Sequence, residues 1–200
     1  MIAVIDYGAG NLFSVCHALK YLDLPYTVTK DAQTIENADG ILLPGVGAFS
    51  DAMAKLEATG LVALIKQEAE RKPFLGVCLG LQMLFEEGHE FGVTKGLGLL
   101  PGVVRPLDAH GQKLPHIGWN TVQKVHDCPL TEQIPEDSYF YYVHSFCAET
   151  DERYIAFSTT YGETFPGMVW RDHIFGCQFH PEKSGGVGLQ ILKNFGRLVG

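Results

Sequence analysis

Cys78 stands at the centre of Gly76-Val77-Cys78-Leu79-Gly80. Before it lies a short apolar run, Pro73 to Val77, which predicts a buried strand. After it, Leu81-Gln82-Met83-Leu84-Phe85-Glu86-Glu87 predicts a helix. A cysteine on a sharp strand-to-helix turn, with glycine two residues to either side, is the cysteine form of the Gly-x-Ser-x-Gly nucleophile elbow. The turn exposes the central side chain, and the glycines leave room for the crossing backbone. A helix N-terminus beneath the sulfur favours a thiolate, and its free N–H groups can donate to a developing oxyanion. The chemistry would be nucleophilic attack on an acyl carbon. The competing reading is a buried structural cysteine, since cysteine is among the most buried residue types.

A base for that thiol is offered by His180-Pro181-Glu182, directly after the strand-like run Phe175-Gly176-Cys177-Gln178-Phe179. Residues two apart in an extended chain project to the same side, and the proline stiffens that arrangement. Glu182 would then fix the His180 tautomer, and His180 would take the thiol proton and return it to the leaving group. Taken singly, the pair reads as a surface ion pair. Beside the elbow, it points to a Cys-His-Glu triad. A third element, Pro44-Gly45-Val46-Gly47 after the strand Ile41-Leu42-Leu43, is either a connecting turn or a loop of exposed amide donors facing Cys78.

The elements that must position these groups read as βα alternation in the first half. Strands are predicted over 2–6 and 26–29, and helices over 12–22, 48–58 and 61–71. Gly8-Ala9-Gly10 after the first strand suggests a dinucleotide fingerprint, but Phe13 stands where the third glycine belongs. After residue 95 short strands replace the alternation, at 102–107, 119–125, 139–143, 154–160, 167–170 and 174–179, read as antiparallel additions. A closing helix spans 184–199, with Val187, Ile191, Leu192, Phe195, Leu198 and Val199 as its core face. The expectation is one compact α/β domain over residues 1–200, with an open, mostly parallel sheet that binds its ligand at the strands' carboxyl edge.

The formal net charge of -8 argues against nucleic acid as a main partner. No apolar run reaches the roughly 18 residues of a membrane span. The first residues read as a core strand rather than a signal peptide. Five scattered cysteines without a Cys-x-x-Cys fit a reducing cytoplasm and give no support for a metal site.

The chain resembles the class I, triad-type glutamine amidotransferases, and within them the glutaminase subunits of imidazole glycerol phosphate synthase. The resemblance runs over nearly the whole chain. Its carriers are Asp6-Tyr7-Gly8-Ala9-Gly10-Asn11-Leu12, Leu43-Pro44-Gly45-Val46-Gly47-Ala48-Phe49 and the elbow through Gln82. They continue in His116-Ile117-Gly118-Trp119-Asn120, Tyr141-Tyr142-Val143-His144-Ser145-Phe146 and Gln178-Phe179-His180-Pro181-Glu182-Lys183-Ser184.

The resemblance implies that Cys78, His180 and Glu182 hydrolyse L-glutamine through a thioester, without a cofactor. It implies an oxyanion hole from Leu79 and the Gly45, Val46, Gly47 loop, and glutamine contacts from Gln82, His144, Ser145 and Phe146; glycines on both sides of Val46 would also make a peptide flip in that loop cheap, a route to regulation. Phe146 stands where the family equally carries tyrosine. It further implies a heterodimer with a (β/α)8-barrel cyclase, which receives the ammonia in histidine biosynthesis and meets Asn11, Trp119, Tyr141 and Lys183. Other readings stay open on sequence alone: an amidotransferase of a different synthase, a binding module that lost the chemistry, or a cysteine hydrolase that works without a partner.

Overall fold

Alternation along the first strand decides where the layers go. Strand β1 (Ile2–Ile5) buries Ile2 and Val4 in one apolar core and Ala3 and Ile5 in another, because both of its faces are covered. The computed structural model describes residues 1–200. After β1 come α1 (Leu12–Tyr21), β2 (Tyr26–Thr29), α2 (Ala32–Asn37), β3 (Gly40–Gly45), α3 (Phe49–Ala58), α4 (Val62–Ala69), β4 (Phe74–Cys78) and α5 (Leu79–Gln82). The second half holds β5 (Glu87–Gly88), β6 (Thr94–Lys95), β7 (Val103–Pro106), β8 (His116–Thr121), β9 (Gln123–Lys124), β10 (Tyr139–His144) and β11 (Phe146–Glu149). It closes with β12 (Ile155–Tyr161), β13 (Glu163–Arg171), β14 (Ile174–Cys177) and α6 (Gly185–Val199).

The central sheet runs β2-β1-β3-β4-β14-β13-β12-β9. Its first five strands are parallel, and the last three are antiparallel. Helices α1 and α6 cover one face through Val15, Leu19, Ile191, Leu192 and Phe195. Helices α2, α3 and α4 cover the other through Ile35, Met53, Leu56 and Ile65. This is the open, mostly parallel sheet expected from the sequence. A two-stranded ribbon, β8 with β10, and a small sheet, β11-β7-β5-β6, stand apart from it. No helix is long and apolar enough to cross a membrane.

Three local expectations are corrected, and one unexpected helix is found. The helix predicted over 81–87 is the single turn α5, because Gly96, Leu97, Gly98, Leu99 and Leu100 donate their N–H groups to the carbonyls of residues 83–86. Those carbonyls are thereby taken from any continuing helix. Strand β14 is parallel to β4 rather than an antiparallel addition, since the hairpin from β13 turns it back into the direction of the first half. Leu198 leaves the core face of α6 and is 40% exposed at the helix end. Helix α2, capped by the Asp31 carboxylate on Thr34 N–H at 2.8 Å, was not expected.

Candidate active site

Register brings two tips together: Gly45, ending β3, is paired with Cys78, ending β4. Cys78 has φ +55° and ψ −110°, a region that L-residues rarely occupy and that costs about 1–3 kcal/mol. The chain accepts that strain to turn from β4 into α5 within one residue. A methyl group at Gly80 would lie 1.9 Å from the Leu43 carbonyl oxygen, and one at Gly76 would lie 2.6 Å from the Gly80 oxygen. Both glycines are therefore required by the approach of backbone to backbone. With only four residues, α5 offers Cys78 its first-turn N–H groups rather than a sizeable macrodipole.

His180 arrives from the neighbouring strand. The chain leaves β14 at Cys177, bends at Gln178 and Phe179, is extended at His180, and then forms one 3-10 turn over Pro181–Lys183. Pro181 starts that turn, so His180 and Glu182 meet across it rather than along the extended chain expected from the sequence. His180 Nδ1 lies 2.8 Å from Glu182 Oε1, with both side chains almost fully buried. A carboxylate accepts only, so Nδ1 carries the proton and Nε2 is left for chemistry. Nε2 is buried without a hydrogen-bond partner.

Burial opposes charge on His180, but the Cys78 side chain and the Glu182 carboxylate outweigh it and raise the pKa to about 9. The thiol lies near the imidazole without being aligned to it. Its Sγ–H points to the Val143 carbonyl at 3.9 Å, and Gln178 Nε2 donates toward Sγ at 3.9 Å. Pairing of nucleophile and base tightens as substrate is engaged.

Cys78 and His180 open into a cavity of about 310 Å3, at the small end of the ~300–1,000 Å3 range for small-molecule sites. Its wall includes Leu79, Val46, Gly47, Gln82, Ser145 and Phe146, all singled out in the sequence. Gly45 sits one residue behind, packed on Gly80. The Val46 and Gly47 N–H groups donate to no backbone carbonyl. Gln82 Nε2 donates to the Phe146 carbonyl and to Gln178 Oε1, each at 3.0 Å. His144 also lines the cavity, but both of its ring nitrogens are engaged within the protein.

Trp119, Tyr141 and Lys183 gather outside the cavity. The Trp119 and Tyr141 rings meet edge to face at 6.0 Å, and Lys183 Nζ lies 5.8 Å from the Tyr141 ring centre. Trp119 is 54% exposed, so its ring is no part of the core. Asn11 instead caps α1, accepting from Ser14 N–H at 3.3 Å.

Sequence reasoning missed Glu90 and Gln178. Glu90 lines the cavity and accepts from the Phe49 N–H at 2.7 Å, at the start of α3. Nothing local marks it, since a loop folding over the site brings it there. Gln178, buried between Gln82 and Cys78, could have been found from its place two residues before His180.

Comparison with known proteins identifies the family. Residues 3–198 match the family described as "Glutamine amidotransferase class-I". The chain is 51% identical over 201 residues to "Imidazole glycerol phosphate synthase subunit HisH" of Desulfitobacterium hafniense, covering 100% of this chain and 95% of that one. It is 48% identical to the protein of the same name in Bacillus cereus, with the same coverage. Among solved structures, a glutamine amidotransferase superposes with TM-score 0.77 at 16% identity, covering 100% of this chain and 99% of that one. A putative gmp synthase subunit a protein from Thermoplasma acidophilum gives TM-score 0.75 at 19% identity, covering 99% and 92%. At such identities these two structures speak for the fold alone.

Proposed function

The chain belongs to the class I glutamine amidotransferases and, within them, to the imidazole glycerol phosphate synthase HisH subunits, and from that premise we propose that Cys78, His180 and Glu182 are its glutaminase triad. It is the glutamine amidotransferase subunit of that synthase, in histidine biosynthesis. The whole chain acts as one amidotransferase domain. Cys78 thiolate attacks the side-chain amide carbon of glutamine. The oxyanion accepts hydrogen bonds from Leu79 N–H and from an amide of the Gly45, Val46, Gly47 loop. The imidazolium of His180 gives its Nε2 proton to the departing nitrogen, which leaves as ammonia. His180 Nε2, now neutral, takes a proton from water, which attacks the thioester carbonyl, restores the Cys78 thiolate and releases glutamate. Glu182 holds the imidazole in the tautomer that makes both transfers possible.

The observation that carries this reading is the buried His180–Glu182 pair at 2.8 Å, with its unpartnered Nε2 in the same cavity as a strained cysteine. Glu90 supplies a carboxylate for the α-ammonium of the amino acid, and Ser145 and Phe146 form the wall around the amino-acid end. Ammonia passes to the cyclase subunit, which docks over Trp119, Tyr141 and Lys183, with Asn11 at its margin. Release of glutamate from glutamine, measured with and without the cyclase and its nucleotide ligand, tests the reading. Low activity alone, stimulated by the liganded cyclase and abolished in Cys78→Ala, is expected. Activity indifferent to the cyclase would remove the partner, and activity surviving in Cys78→Ala would remove the triad.

A further inference from the structure

The polar groups behind the cavity form a chain with one direction. Asn120 Oδ1 accepts from Thr121 N–H at 2.8 Å, which fixes the amide and turns Nδ2 to the Thr160 carbonyl at 2.9 Å and to His116 Nε2 at 3.3 Å. His116 Nδ1 lies 2.9 Å from His144 Nε2. His144 Nδ1 lies 2.9 Å from the Phe146 carbonyl, the same oxygen that accepts from Gln82. A carbonyl accepts only, so His144 carries its proton on Nδ1 and presents a lone pair at Nε2. His116 must then donate from Nδ1 and accept at Nε2, where the Asn120 amide meets it. Every donor faces an acceptor only when both imidazoles are neutral. A second proton on His144 would set two N–H groups against each other.

The surroundings keep the pair in that state. His116 and His144 are buried, and burial pushes both to about 4. The His180 imidazolium adds to the pressure on His144. The rings of Tyr142 and Tyr161 stack on His116 at 5.0 and 4.1 Å, with their hydroxyls engaged elsewhere: Tyr142 shares a hydrogen bond with the Thr159 hydroxyl, and Tyr161 donates to the Lys113 carbonyl. Phe165 closes the remaining side.

We propose that His116 is a positioning residue for glutamine: through His144 it fixes the Phe146 carbonyl and the Gln82 amide, and so sets the wall of the cavity from strand β8. This rests on the glutaminase reading of that cavity. Residues of β8 alternate, with His116 buried and Ile117 and Trp119 exposed on the outward side. A load on the outward face of the ribbon therefore reaches the glutamine wall through one hydrogen-bonded pair.

The first test is made on the unmodified full-length chain by nitrogen-15 NMR of the histidine side chains. Both His116 and His144 should show the Nδ1–H neutral tautomer from pH 8 down to pH ~5.5. An Nε2–H tautomer in either, or protonation with a midpoint near the ordinary ~6.5, would overturn the proposal. The second test compares glutamine kinetics of the complex with its cyclase in His116→Phe and His116→Gln. Phenylalanine keeps the stacked ring and removes the donor, while glutamine can still donate to His144. In His116→Phe, KM should rise about tenfold with kcat changed less than about threefold, and His116→Gln should recover most of the loss. An unchanged KM in His116→Phe would overturn the proposal. Absence of glutaminase activity in the unmodified complex would instead count against the reading of the cavity, and the tautomers would still decide the pair.

Discussion

His180 N–H donates to the Tyr141 carbonyl at 2.9 Å, so the base of the site hangs from the strand whose neighbouring ring meets Trp119. Ser184 strengthens the link: its hydroxyl donates to the His180 carbonyl at 2.6 Å and accepts from Tyr141 N–H at 2.9 Å. The cluster of exposed Trp119 and Lys183 with half-buried Tyr141 is thus one hydrogen bond from the backbone of His180. A subunit seated on the cluster would act on the position of His180 without touching it.

Trp119→Ala should weaken the cyclase complex at least tenfold, as truncating an aromatic anchor does. Lys183→Ala should reduce stimulation of glutaminase by the liganded cyclase. Titration calorimetry and glutamate release read the two effects separately. If Lys183→Ala changed neither affinity nor stimulation, the cluster would have no part in coupling.

Charge on His180 makes folding sensitive to alkali. Its folded pKa of about 9 lies above the ~6.5 of an unfolded histidine, so its contribution is complete below pH ~6.5 and is lost as pH rises through about 9. The loss is on the order of 3 kcal/mol. His116 and His144 act in the opposite sense. Their folded values of about 4 mean stability present above pH ~6.5 and lost as pH falls toward 4. Denaturant unfolding across pH 4–10 should show a maximum near pH ~6.5 and a falling alkaline limb. Glu182→Gln should flatten that limb, and a limb unchanged in the variant would refute the assignment.

Glu90→Gln should raise the glutamine KM about tenfold, because the α-ammonium loses its charged partner. The amide oxygen can still accept from Phe49 N–H, so the melting temperature should move little. A large fall in melting temperature with KM unchanged would make Glu90 a cap for α3 and nothing more.

Gly80→Ala should destroy the elbow, since its methyl would fall 1.9 Å from the Leu43 carbonyl oxygen. The expected cost is about 1–3 kcal/mol or more, with loss of glutamate release. Gly47→Ala meets nothing within 4 Å but must hold φ +107°. It should leave the fold intact, at a cost of about 1–2 kcal/mol, and alter stimulation by the cyclase.

What was legible in the sequence was local. The elbow spans five residues and His-Pro-Glu three, so spacing alone places Cys78 on a turn and joins His180 to Glu182. Strand β1 and helix α1 announce themselves by an unbroken apolar run and by helical spacing. The rest depends on contacts between distant segments. Residues 83–86 look helical until residues 96–100 take their carbonyls. Glu90 reaches the site wall from the loop between β5 and β6, and His116 backs that wall from β8 through His144, which no pattern near Cys78 announces. His144 reads as a substrate contact until its partners on both sides, His116 and Phe146, are seen to occupy its ring nitrogens.

The central claim is that Cys78 carries the glutamyl group. Mass spectrometry of the complex, acid-quenched during turnover with glutamine and then digested, measures this directly. The account predicts a γ-glutamyl thioester on the peptide containing Cys78 and on no peptide containing Cys16, Cys128, Cys147 or Cys177. No adduct forms in Cys78→Ala. A glutamyl adduct on another residue, or turnover that continues in Cys78→Ala, would contradict it.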